Sequence, residues 1–325
     1  MSKEIRIGFI GAGGIVGRHV DAFQSVPDTL ISGYYSPSQP ERPDAWGRIL
    51  PDVEAVMAES DAVYVCVPPS HHGVEVQLLN ARKPFLVEKP LSLSRPFPHA
   101  VRKLVTSADH IAAGSYQWRA SPISTEAKKA VAETEVIDVT LRYLDPALSY
   151  VKDWFLKRGE SGGPVVEQAT HVLDQARNLL GEFTVLTAKE SFAIPEVFLQ
   201  SRPNLAQADI PTEISAELRF AGDVPGHFEA SAVHTGERRV EIEMLCADGS
   251  VLTVARDRIM RDDHSLLEVE DFTRVSTVEQ NRAFAEAVRE QNPTVLYSRY
   301  QDAERTHRKV MDIVELARKS STVAA

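Results

Sequence analysis

IRIGFIGAGGIVGRHVDAF, residues 5–23, is the stretch on which the fold assignment turns. Ile5 to Ile10 is an apolar run with β-branched residues, a glycine cluster follows, and a helical pattern continues through Phe23. Gly11 and Gly13 stand where the first strand turns into the first helix. Gly11 permits a tight turn. Gly13 lets a pyrophosphate approach the backbone at a helix N-terminus, whose free N–H groups and dipole favour anions. Gly14 and Ile15, which open the helix, count with them as dinucleotide-binding positions. The third position of the GxGxxG fingerprint, normally Gly or Ala, is Val16, a branched residue expected to push the helix slightly off the strand; Gly17 then restores close packing.

Further along, Leu30–Tyr35, Ala62–Val67, Phe85–Val87 and His110–Tyr116 read as strands, with a helix over Val74–Ala81. AVYVCV (62–67) is apolar throughout and stops at Pro68-Pro69, as does a strand buried on both faces of a parallel sheet. Alternation of strand and helix implies a doubly wound sheet. After about Arg119 the pattern changes. In TEISAELRFA (212–221), Ile214, Ala216, Leu218 and Phe220 alternate with Glu213, Ser215, Glu217 and Arg219. Gly226–His234 and Arg239–Cys246 are also strand-like, and Asp248-Gly249 is a turn, so this sheet is antiparallel with one polar face. The expected fold class is α/β: an N-terminal Rossmann-like doubly wound parallel sheet (1–119), then an α+β domain with an open, mainly antiparallel sheet (120–325). A final helix, about 299–319, carries Ala303, Val310, Ile313, Val314 and Ala317 near one face and is free to pack back on the first domain.

Composition narrows the function. At 325 residues, with 43% hydrophobic and 25% charged residues, the chain is globular and long enough for two domains. Its net charge of −10, without a basic run, argues against nucleic acid and anionic membranes. No stretch approaches the roughly 18 apolar residues of a membrane span. Cys66 and Cys246 are too few for a disulfide framework or a structural zinc site. A cytoplasmic protein is expected.

The acid usually found at the end of the second strand is missing: the chain reads Tyr34-Tyr35-Ser36-Pro37-Ser38. Such an acid binds the ribose diol of NAD and repels a 2′-phosphate. Ser36 and Ser38 can donate to either ribose, or simply make the turn, and Arg42 is the nearest base. The choice between NAD and NADP stays open, leaning to NADP.

The segment DAVYVCVPPSHHGVEVQLLNARKPFLVEKPLSLS (61–94) places Pro68, Pro69, Ser70, His71 and His72 after one strand and Glu88-Lys89-Pro90 after the next. Together with the glycine loop, His19, the YQWR segment (116–119) and an acid four residues before a His on a later helix, this resembles the Gfo/Idh/MocA family of NAD(P)-dependent oxidoreductases. The resemblance spans nearly the whole chain, and its EKP triplet is the specific part. It implies cofactor contacts from Pro68, Pro69, His72, Glu88, Lys89 and Gln117, with His71 facing solvent. Chemistry agrees for Lys89, the sole base in FLVEKPLSL. A lysine at the carboxyl end of a parallel strand can hold a substrate hydroxyl and stabilise the alkoxide formed as hydride leaves. The competing reading is a salt bridge at a strand end.

In ESGGPVVEQATHVLDQARNLLGE (160–182), Gly162-Gly163-Pro164 opens a helix that Gly181 closes. Glu167, His171 and Asp174, at i, i+4 and i+7, fall near one face. Three readings stand: a substrate-facing stripe in which His171 accepts a proton that Glu167 helps to place; metal ligation, for which no convincing third ligand appears, so no metal is expected; and a solvated stripe or a pair with Arg177. The resemblance favours the first. It implies catalysis by Lys89, His171 and Glu167, and substrate contacts from these three with Arg119 and, more weakly, Asp174. The family acid is most often Asp; here Glu is one methylene longer. Trp118 reads as packing, and Asp153-Trp154 either edges the pocket or is structural.

The expected function is hydride transfer between a nicotinamide and a secondary alcohol or ketone of a sugar, cyclitol or related polyol. Redox-neutral, NAD-assisted glycoside cleavage and a non-catalytic dinucleotide sensor are the alternatives, and retention of Lys89 with His171 argues against the sensor. The resemblance also implies a homo-oligomer, dimer or tetramer, formed through the open sheet.

Overall fold

A computed structural model describes residues 3–323. The chain divides into two compact units, Met1–Ser121 with Asp271–Arg305, and Pro122–Glu270 with Thr306–Ala325.

The first unit begins with β1 (Ile5–Ile10), α1 (Gly14–Phe23), β2 (Thr29–Tyr35), β3 (Arg48–Ile49), α2 (Val53–Glu59), β4 (Ala62–Val65), α3 (Glu75–Asn80), β5 (Phe85–Val87), α4 (Pro96–Ser107) and β6 (Ala112–Gly114). The strands form a parallel sheet in the order β3-β2-β1-β4-β5-β6, so the order of strand addition switches sides between β1 and β4. All four β4 residues are buried, because apolar layers cover both sides of the sheet. Phe9, Val16, Val20, Phe23 and Tyr64 fill one layer, and Val63, Val65, Leu78, Phe85 and Val101 the other. The sixth strand is shorter than expected. It ends at Gly114, opposite Val87, the last residue of β5, so the ladder has no further partner there. Gln117–Ala120 therefore forms a 3-10 turn instead of closing the strand.

The second unit contains α5 (Pro122–Ala132), β7 (Val136–Leu144), α6 (Arg158–Ser161), a π-helical turn (Val165–Ala169), α7 (Thr170–Leu180), β8 (Phe183–Ser191), α8 (Glu196–Ser201), β9 (Glu213–Phe220), β10 (Pro225–Ser231), β11 (Arg239–Cys246), β12 (Val251–Ala255), β13 (Arg258–Arg261) and β14 (His264–Glu268). Its eight-stranded sheet runs β14-β13-β12-β11-β7-β10-β9-β8, antiparallel except where β10 meets β7. Ile214, Ala216, Leu218 and Phe220 are buried, as their alternation requires. The opposite face is polar: Arg142 pairs with Glu229 and Glu243, and His227 with Glu217.

After β14 the chain returns to the first unit with α9 (Phe272–Glu290), and α10 (Tyr300–Val323) follows. This corrects the assignment of all of 120–325 to the second domain. Phe284, Ala285, Ala287 and Val288 enter the β1–β4 core, with the Phe284 ring 5.3 Å from Tyr64. An apolar stripe on a helix does not name the sheet it covers, so sequence order misplaced α9. The start of α10, Tyr300 and Ala303, also belongs to the first unit's core, whereas Val310, Ile313, Val314 and Ala317 are buried in the part assigned to the second. Among the described residues, no helix is long and apolar enough to cross a membrane.

Candidate functional site

In the first unit, the site starts from the glycine loop. Gly11 has φ +114 and donates its N–H to Tyr35 O at 2.8 Å. A Cβ on Gly11 would lie 2.3 Å from Cys66 O, so β1 and β4 come this close only with glycine here. Gly13 caps α1, and no side chain accepts from the first turn. A Cβ built on Gly13 or Gly14 meets nothing within 4 Å. An exposed helix N-terminus with room beside it fits a dinucleotide phosphate. The Val16 side chain is fully buried in the core. Gly17 makes room for Trp46, whose ring a Cβ there would approach to 3.1 Å, in place of the expected strand contact.

At the end of β2, the Ser36 and Ser38 hydroxyls lie 3.3 Å apart. Arg42 reaches back to the loop, with Nε and Nη2 donating to Ala12 O at 3.1 and 2.7 Å. Its guanidinium also lies 5.4 Å from the centre of the Trp46 ring.

The ends of β4 and β5 carry the remaining groups. Pro68 is exposed and Pro69 buried, at the start of a 3-10 turn that ends in exposed His71. His72 is turned inward: Nδ1 lies 2.9 Å from Leu91 O and 3.4 Å from Glu75 Oε1, and Nε2 lies 3.2 Å from Val67 O. It thus ties the turn after β4 to the turn after β5. Glu88 is buried, with Oε1 3.0 Å from His19 Nε2. Burial would raise its pKa, but the His19 hydrogen bond and charge, then Lys89 and Ser115, hold it below the usual glutamate value. Lys89, part-exposed, follows directly, ahead of a cis bond to Pro90. Gln117 is part-exposed, and Arg119 is buried against Asp302.

In the second unit, Gly162 and Gly163 have φ of +79 and +94, and the helix opens as a π turn. Such turns add a residue and cluster at functional sites. Glu167 sits on it, 8% exposed, with its N–H on Gly163 O at 3.0 Å. The neighbouring Gln168 accepts from Tyr143 OH at 3.2 Å. His171 is half-buried in the first turn of α7. The π turn breaks the uniform α-helical spacing behind the expected single stripe. Asp174 is buried against α10, accepting from Thr306 Oγ1 at 2.6 Å, and Thr306 in turn accepts from Arg177 Nη1 at 2.7 Å. Because Glu167 and Asp174 are buried, a solvated stripe is ruled out; Arg177 pairs with Glu182. Asp153 accepts from Arg202 and Asn204, both at 2.9 Å, and Trp154 stacks on Phe155. Among the described residues, no group of three or more His, Cys, Asp or Glu could hold a metal ion.

Sequence reading missed Asn281, Tyr64, Ser115 and Gln280, which surround Glu88 and His19. Asn281 Oδ1 lies 3.0 Å from His19 Nδ1 across 262 positions of sequence, and no local pattern signals a contact of that range.

The parallel sheet, the open glycine loop and the charged strand ends define a dinucleotide-binding domain of an oxidoreductase. Residues 5–110 match the model of the oxidoreductase family with NAD-binding Rossmann fold, and residues 126–252 match the GFO/IDH/MocA C-terminal domain. The chain belongs to the Gfo/Idh/MocA family. It is 27% identical over 210 residues to levoglucosan dehydrogenase of Pseudarthrobacter phenanthrenivorans, a match covering 57% of this chain and 53% of that protein. The match therefore spans about half the length of that relative. It is 26% identical over 315 residues to the uncharacterized oxidoreductase YrbE of Bacillus subtilis, covering 89% and 87%. Among solved structures, scyllo-inositol dehydrogenase from Lactobacillus casei, with bound NAD(H) and scyllo-inositol, has the same fold, with a TM-score of 0.78, 18% identity, and 98% of each chain covered.

Proposed function

We propose that the chain is an NAD(P)-dependent dehydrogenase or reductase acting on a secondary alcohol or ketone of a sugar, cyclitol or related polyol. The observation that carries this reading is the open N-terminus of α1 at Gly13 and Gly14, following β1 of the same parallel sheet whose β5 leads into Lys89. Bound NAD(P) supplies or accepts the hydride. Gly11, Gly13, Gly14 and Ile15 hold its phosphates, and Pro68, Pro69, His72 and Gln117 flank it. Lys89 polarises the substrate oxygen, His171 exchanges the proton, and Glu167 holds the hydroxyl or orients the imidazole. Arg119 and Asp174, each committed to a neighbour within its own unit, contribute to substrate binding through these contacts. The absence of an acid at 34–38 and the reach of Arg42 to the loop support NADP. Assembly into a dimer or tetramer follows from the family resemblance; the polar face of the second sheet fits an interface and solvent equally.

The test is a titration with NADH and NADPH, read by nicotinamide fluorescence, followed by a panel of sugars and cyclitols read at 340 nm. One cofactor should bind and at least one polyol should turn over. His171→Ala should then lower turnover by roughly 10²–10⁴-fold with cofactor affinity unchanged. Binding of neither cofactor overturns the reading. Tight binding with substrate consumed but no net absorbance change moves it to redox-neutral cleavage.

A further inference from the structure

His19 lies inside the first unit, 1% exposed, with both ring nitrogens facing oxygen. The amide of Asn281 is oriented by its own bonds. Its Nδ2 donates to His19 O at 3.3 Å, a carbonyl that can only accept, so its Oδ1 is the atom 3.0 Å from His19 Nδ1. Tyr64 OH donates to the same Oδ1 at 3.1 Å, and burial raises the Tyr64 pKa, which keeps it a donor. His19 Nδ1 therefore has to carry a proton. On the other side, Nε2 meets Glu88 Oε1 at 3.0 Å; Ser115, which accepts from Gln280, donates its O–H to Glu88, and with Lys89 alongside, Glu88 is a carboxylate that only accepts. Nε2 has to carry a proton as well.

We infer that His19 is kept as a doubly protonated imidazolium and, through Glu88, is a positioning residue for Lys89. The ionisable groups around it are Glu88 and Lys89 after β5, and Tyr64 and Cys66 at β4; Asn281 from α9 is neutral. Ser115, which accepts from Gln280 Nε2 at 3.1 Å and bonds Glu88, closes the far side. The carboxylate is thus held from α1, β6 and α9 together, and the backbone that it fixes is the one that presents Lys89. A buried charge with each proton satisfied is tolerated, and removal of one partner leaves the other exposed to its full desolvation cost. The consequence for catalysis rests on the proposed role of Lys89; the charge state does not.

The experiment is a ¹⁵N spectrum of the histidine-labelled full chain at neutral pH, with His19 assigned by its loss in His19→Gln. Both His19 ring nitrogens should resonate as protonated, and in Glu88→Gln one should become unprotonated. A single protonated nitrogen in the native chain, or an unchanged spectrum in Glu88→Gln, overturns the charge state. For positioning, His19→Gln and Glu88→Gln should each lower kcat about 10- to 100-fold, with cofactor Kd within about twofold and no further loss when combined. Unchanged kcat in both, in an enzyme that Lys89→Met inactivates, overturns positioning. Activity retained in Lys89→Met instead strikes the proposed role of Lys89 and leaves the ¹⁵N result standing.

Discussion

Two glycine clusters open helices in this chain, and they do so in opposite ways. At Gly13 and Gly14 the backbone borders empty space; at Gly163 it is buried, and an added Cβ would be in van der Waals contact with Pro211 Cδ at 3.4 Å. The first leaves the room that a dinucleotide phosphate would need. The second leads into the π turn that carries Glu167.

The largest expected effect separates two glycines of the first cluster. Gly11→Ala meets Cys66 O at 2.3 Å and an unfavourable φ, so it should cost about 3–5 kcal/mol of stability or abolish soluble expression. Gly13→Ala meets nothing and should change stability by less than about 1 kcal/mol. It should nevertheless weaken cofactor binding about tenfold, equivalent to about 1.4 kcal/mol, because the added methyl stands where the phosphate approaches. Denaturant unfolding and fluorescence titration of both variants check this. Unchanged cofactor affinity in Gly13→Ala would show that the space beside Gly13 has no ligand role.

The second cluster is tested by shortening the turn. Deleting Gln168 should convert the π turn to α and rotate Glu167 relative to His171. We expect turnover to fall about 100-fold from misplacement, with about 1 kcal/mol lost as the Tyr143 contact disappears. Retained turnover would mean that Glu167 does not need this geometry.

The same contrast explains what was legible. Short-range signals worked: the apolar run of β4 marked a strand buried on both faces, and the alternation of β9 gave the faces of the second sheet. Failures came where an outcome depends on a distant partner. The bond that Asp174 accepts from Thr306, 132 positions away, has no counterpart in the helical spacing from which its face was read. The π turn at Val165–Ala169 leaves no mark in residue spacing either. The sixth strand stops because its neighbour does, a fact carried by β5 and not by the sequence of β6.

The smallest predicted effect is graded with pH and sharpens the comparison from the side of charge. Of the three buried site carboxylates, Glu88, Glu167 and Asp174, Glu88 has its ionised form stabilised by His19, Lys89 and Ser115 against the cost of burial. A carboxylate with a folded pKa below its unfolded value contributes stability that is complete above the unfolded pKa, about 4.3, and is lost as pH falls through the folded one. Urea unfolding between pH 7 and pH 3 should therefore show the native chain weakening on the acid side more steeply than the double variant His19→Gln/Glu88→Gln, which has no proton to take up at either position. The two curves should diverge at neutral pH and draw together as the native carboxylate protonates. Curves that run parallel would mean that Glu88 draws no net stabilisation from its partners.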